Sequence, residues 1–174
     1  MKPLILCIML VYSGLLLQAQ ADREKIYESL DNLIEGYWES EPQALGKGNT
    51  FHQRLEFNWD LNGQILEVIT KRPVKVTEDS VHWEVRNKGI RAWNPNLEQV
   101  RFWEFDIEGG LTEGMVQIDG KSIYYDYQYK VNNDEFAFRD SWIWVDENTY
   151  RFEINIYQEG DWKNLLSTMV RRVF

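Results

Sequence analysis

The side chains best suited to chemistry in this sequence are acids set among aromatic rings. Asp140 lies in an alternating run with Phe136, Phe138, Trp142 and Trp144. If that face turns inward, the carboxylate is partly desolvated and its pKa rises, an environment common at functional sites. If a bulge after Arg139 shifts the register, Asp140 stands in water instead. Glu104 and Asp106 share a face with Val100 and Phe102, while Trp103, Phe105 and Ile107 hold the other face, so the inward side of that run stays open. A pair of inward acids is able to do general acid–base work. Such a site would bring Asp140 or Glu104 toward Arg139 or Arg54. Tyr125, Tyr127 and Tyr129 form a ladder that offers either hydroxyl donors or plain core packing. His52 and His82 alternate with apolar neighbours and are expected on the polar faces of their strands. Zinc held by both and a carboxylate would require the fold to bring the two strands together. No Gly-x-Ser-x-Gly, phosphate-cradling loop or dinucleotide fingerprint occurs. No metal and no cofactor is expected.

The elements that must position these residues are mostly strands. Phe51 to Trp59 alternates apolar and polar side chains, as a half-buried strand does. Asn62-Gly63 signals a hairpin turn, and Gln64 to Arg72 is the return strand, interrupted at Pro73. Val81, Trp83 and Val85 alternate in the next run, followed by the turn residues Trp93-Asn94-Pro95-Asn96. Further strands run over Val100–Ile107 and Glu113–Ile118, and Asp119-Gly120 gives a second hairpin signal. Ile123 to Val131, Phe136 to Trp144, Tyr150 to Ile156 and Trp162 to Phe174 complete the series, with Asn132-Asn133-Asp134 as one of the turns. The one helix expected is 22–34, where Ile26, Leu30, Leu33 and Ile34 share a face and Gly36 ends it. The fold class is therefore all-β: an antiparallel up-and-down barrel of about ten strands with a short N-terminal helix. Closure removes the edges a long meander would otherwise expose. A sandwich is the alternative.

The N-terminus reads as a signal peptide over residues 1–21. Lys2 precedes an apolar run from Leu4 to Leu17, and Ala19 and Ala21 suit a small-x-small cleavage site. The run is shorter than the roughly 20 residues of a membrane span, so no span is expected after cleavage. Residues 22–174 then form a single domain, secreted or periplasmic. The only cysteine, Cys7, lies in the signal, which leaves the domain without disulfide or thiolate chemistry. Across the chain, 19 Lys and Arg face 28 Asp and Glu, a net charge of −9. That balance disfavours nucleic acid as a partner. Eight Trp, eight Phe and nine Tyr favour strands and supply rings for a core or a cavity.

Gly36-Tyr37-Trp38, a Gly-x-Trp directly after a short helix, and the late basic pair Arg171-Arg172 resemble the calycin superfamily: lipocalins, fatty-acid-binding proteins and nitrobindin-like barrels. Trp93-Asn94-Pro95 and Gly160-Asp161-Trp162 match in order the signals of secreted calycin-like domains of bacteria. The resemblance implies that Trp38 closes one end of the barrel and that Arg171 or Arg172 packs over it. It implies a bacterial envelope setting and an interior ligand. The haem histidine near the chain end of nitrobindin-like proteins has no counterpart here, nor has their longer glycine-rich opening.

The expected function is binding of a small, largely apolar molecule inside the barrel. The expected lining is Phe57, Trp59, Trp83, Tyr125, Tyr127, Phe138, Asp140, Trp142 and Phe152. Three alternatives stand beside it: an isomerase, cyclase or hydrolase using an inward carboxylate; a glycan- or protein-binding module with several tryptophans exposed in one patch; and a filled barrel acting through its surface or as a homodimer.

Overall fold

Alternation over six to ten residues is satisfied by a strand with one dry face, and many such strands joined by tight turns bury those faces together. The computed structural model describes residues 23–24, 26–77, 80–131 and 134–174. The expected signal peptide, the helix start at residue 22 and the turn at 132–133 lie outside them. Helix α1 covers the described residues 23, 24 and 26–31. Twelve strands follow: β1 (Tyr37–Ser40), β2 (Gln43–Gly46), β3 (Asn49–Phe51), β4 (Arg54–Asp60), β5 (Ile65–Thr77), β6 (Ser80–Asn94), β7 (Gln99–Asp106), β8 (Leu111–Asp119), β9 (Ser122–Val131), β10 (Asp134–Asp146), β11 (Thr149–Gln158) and β12 (Asp161–Val173). Ten of them close an antiparallel up-and-down barrel in the order β1-β12-β11-β10-β9-β8-β7-β6-β5-β4, and β2–β3 form a separate hairpin. Closure excludes the sandwich. No helix among the described residues is long and apolar enough to cross a membrane.

The closed end is built from α1 and Trp38. Leu30 and Leu33 are fully buried, with Ile26 and Ile34 packed against the same core. The helix stops at residue 31, and the chain reverses through Glu35 and Gly36, both at positive φ. A Cβ on Gly36 would lie 2.2 Å from the Val173 carbonyl oxygen, so only glycine lets the chain enter β1 this close to β12. Trp38 then points inward, fully buried, and its indole N–H donates to the Leu33 carbonyl at 2.9 Å. The Arg172 guanidinium lies 4.7 Å from the Trp38 ring and donates to the Asn32 carbonyl. Arg172 is thus the partner of Trp38. Arg171 points out, 57% exposed, and pairs with Glu41.

Three details depart from the sequence expectation. β5 continues through Pro73, which pairs with Trp83 of β6. This is tolerated because the β4 ladder ends at the Arg54–Lys71 pair, so the other side of Pro73 has no partner needing its N–H. Second, Thr70 pairs with Asn87 but Lys71 with Val85, so Arg86 is an extra residue, a β-bulge. Third, the run Phe51 to Trp59, expected as one strand, is divided: Phe51 ends β3 and β4 begins at Arg54.

Candidate functional site

Away from α1 the barrel is not filled. A half-open cavity of about 270 Å³ lies inside it. Its apolar walls come from the inward positions of β4, β7, β10 and β11: Leu55, Phe57, Phe102, Phe138, Trp142, Phe152 and Ile154. Phe51 at the end of β3 reaches over from the hairpin and stacks on Phe152, with ring centres 5.6 Å apart. The volume falls just below the about 300–1,000 Å³ usual for small-molecule sites. The occupant it suits is compact.

The cavity also carries an ordered polar set. Arg91 of β6 is inward and buried, its side chain 6% exposed. Its Nη2 donates to Glu104 Oε2 at 3.0 Å, and Asn87 Nδ2 donates to Glu104 Oε1 at 2.7 Å. The guanidinium also lies 5.3 Å from the Phe102 ring centre and 5.0 Å from that of Tyr125. Gly89, between Asn87 and Arg91 on the strand, makes this possible: a Cβ there would sit 2.7 Å from Arg91 Nη1. Burial alone pushes the guanidinium pKa down, but Tyr125 and Glu104 outweigh it and hold the group above its ordinary value. The Tyr125 hydroxyl interacts with this charge as well, by charge and by hydrogen bond.

Asp140 lies on another wall. β10 keeps continuous register with β9 and β11 from Phe138 to Trp142, so no bulge intervenes and the carboxylate faces inward. The Tyr127 hydroxyl donates to Asp140 Oδ1 at 3.0 Å. Burial pushes the Asp140 carboxyl up to about 7. The Tyr127 hydrogen bond and Arg91 oppose the rise, and Glu104 adds to it. Burial, with Asp140 beside it, also raises the Tyr127 phenol. An acid titrating near neutrality beside open volume is able to donate or accept a proton there.

Of the residues expected to line the interior, Phe57, Tyr125, Tyr127, Phe138, Asp140, Trp142 and Phe152 do so. Trp59 does not. It stands at the closed end, where its indole N–H donates to Asp31 and its ring lies 5.0 Å from Tyr27. Trp83 is on the outside, because the Arg86 bulge turns the first half of β6 over. There it packs 4.0 Å from the Arg54 guanidinium and edge-on to His52 at 5.0 Å. Arg54 also pairs with Glu39, and Arg139 pairs with Asp126, both on the outer surface. The interior cation is Arg91, which sequence reasoning missed. The available signal was Arg91 standing at even spacing with Gly89 and Trp93. Among the described residues no three His, Cys, Asp or Glu side chains gather as metal ligands. Of the eight tryptophans, Trp38 and Trp142 are buried, Trp144 is exposed and the others are half-buried.

No protein-family model matches this chain, and no curated protein matches it.

Proposed function

We propose that this is an exported, calycin-like barrel that binds one compact small molecule in its interior, apolar body against the rings and polar end against Arg91, Glu104 and Asn87. The observation that carries the reading is the half-open cavity of about 270 Å³ whose wall combines aromatic side chains with a half-buried ion pair. A barrel kept only for its surface has no need of a charged pair beside empty volume, since desolvating such a pair is costly. The fold by itself is weak support, because one barrel architecture hosts many functions.

The test is native mass spectrometry on protein produced in an exporting host. Expected are a chain beginning at Asp22 and a small-molecule mass that is lost on denaturation. A variant with Thr112→Trp, which fills the cavity from its wall, should lose that mass. No added mass, and no response to a panel of small apolar compounds, would overturn the reading. A second reading, acid–base catalysis on the bound molecule, is favoured by Asp140 alone. It predicts that Asp140→Asn keeps the ligand but stops its conversion.

A further inference from the structure

The charges that line the cavity do not balance once Asp140 is ionised. Among the described residues they are Arg91, Glu104 and Asp140. Arg91 is committed within the wall. It donates to Glu104 at 3.0 Å, interacts with the Tyr125 hydroxyl, and lies against the Phe102 and Tyr125 rings. Asp140 has no such counter-ion: Arg91 pairs with Glu104, and Arg139, its neighbour on β10, turns outward to Asp126.

The immediate surroundings of Asp140 are uncharged. On the inward face of β10 it stands between Phe138 and Trp142. Tyr125 opposes it on β9 and Ile154 on β11. The Tyr127 hydroxyl donates to its Oδ1. From β7 and β6, Glu104 and Arg91 act on it in opposite senses. The side chain is only half-buried and lines the cavity, so an occupant meets the carboxylate directly. Burial holds the carboxyl at about 7. Below that value a proton neutralises it, and above it the cavity carries one net negative charge. The sum is never positive.

A carboxylate ligand would add a second uncompensated anion, and like charges at low dielectric repel. An alcohol or a hydrocarbon leaves the charge as it is. An ammonium group takes the place of the proton and compensates the charge, as buried charges ordinarily require. Aromatic rings add to this. Tyr127, Tyr129 and Phe138 line the cavity as one cluster, Phe138 stacked on Tyr127 at 5.6 Å and edge-on to Tyr129 at 6.4 Å, and ring faces attract cations.

We propose that the cavity selects a compact protonated amine, with its ammonium group on the Asp140 carboxylate and its apolar body along Phe57, Trp142 and Phe152. This rests on the reading of the barrel as a small-molecule binder, and it adds Asp140 to the polar groups that the ligand meets.

Four probes of one shape separate the possibilities: 3-phenylpropylamine, 3-phenylpropanoate, 3-phenylpropan-1-ol and propylbenzene, each titrated calorimetrically into protein from the exporting host. At pH 8 the amine should bind at least about tenfold tighter than the other three. Its affinity should fall at least about fivefold between pH 8 and pH 5.5, because at the lower pH the ammonium must displace the Asp140 proton. The amine itself stays protonated throughout, and propylbenzene affinity should not change. In Asp140→Asn the amine should fall to the affinity of the alcohol and lose its pH dependence. Propylbenzene should bind wild type and variant alike, which reports that the cavity is intact. Carboxylate binding first, or the alcohol equalling the amine, would overturn the inference and leave the cavity reading standing. So would an amine affinity unchanged in Asp140→Asn, the result expected if the carboxyl serves proton transfer alone. If the variant loses propylbenzene as well, the wild-type titrations decide, and an amine affinity flat from pH 5.5 to pH 8 overturns the inference. Failure of every probe to bind would overturn both.

Discussion

Replacing Asp140 by Asn should alter how stability depends on pH, and the sign follows from the cavity. The Asp140 carboxyl has an ordinary value of 3.8 and is pushed up to about 7 in the fold, chiefly by burial. Below 3.8 the native and unfolded chains both hold the proton, and the contribution to stability is complete. Between the two values the native state holds more protons than the unfolded one, so stability falls as pH rises. Above about 7 the loss is complete. Linkage gives about 4 kcal/mol over the whole interval, of which about 2.5 kcal/mol falls between pH 5 and pH 8. Asn keeps the shape and still accepts from the Tyr127 hydroxyl, but it does not titrate. Urea unfolding of both proteins at half-unit steps from pH 5 to pH 8 measures the difference. The stability of Asp140→Asn relative to wild type should grow by about 2.5 kcal/mol across that range. Taking the difference cancels every pH-dependent contribution that both proteins share. A constant difference would refute the argument, because it would mean that Asp140 titrates alike in both states and is not desolvated.

Other substitutions separate the roles of residues that look alike in the sequence. Arg172→Ala removes the cation over Trp38 and the donor to Asn32, and should cost about 2 kcal/mol in urea unfolding. Arg171→Ala removes an exposed pair with Glu41 and should stay within about 0.5 kcal/mol. Leu30→Ala empties a fully buried position between α1 and the barrel and should cost about 3 kcal/mol in the same assay. Trp83→Ala should leave propylbenzene affinity within about twofold of wild type by calorimetry, since the ring packs on the outer surface against Arg54.

The barrel was legible because its inward faces repeat with a period of two and its turns are chemically marked. Asn62 and Gly63 take positive φ in the β4–β5 turn, as the Asn-Gly signal implies, although the loop between Asp60 and Ile65 holds four residues. The same logic failed wherever one residue changed the face. Arg86 is not visibly an extra residue, so Trp83 seemed continuous with the inward side when it is not. Pro73 signals an interruption only if both neighbouring strands pair with it, and strand length is not written in local composition. The β2–β3 hairpin escaped notice because its side chains are almost all exposed and carry no alternation. Asp140 was identifiable by its aromatic neighbours. Arg91 was not, because a cation between Gly89 and Trp93 reads as an ordinary polar position until closure brings Glu104 opposite it.

The two ends of the barrel divide the work. Around Trp38, Leu30, Leu33 and Tyr150 the interior is fully packed, and apolar burial there stabilises the fold. At the cavity end, Arg91 gives up water for an ion pair with Glu104, whose side chain keeps 23% of its surface exposed. Buried pairs of this kind are often neutral or unfavourable for stability when compared with uncharged residues of similar size. If the pair serves binding, Arg91→Met with Glu104→Gln should keep or raise the melting temperature while the copurified small-molecule mass is lost. If the pair serves folding, the melting temperature should fall and propylbenzene binding should be lost with it. Thermal unfolding and the propylbenzene titration on the same preparation distinguish the two, and a destabilised variant that no longer binds propylbenzene would place Arg91 in the core rather than in the site.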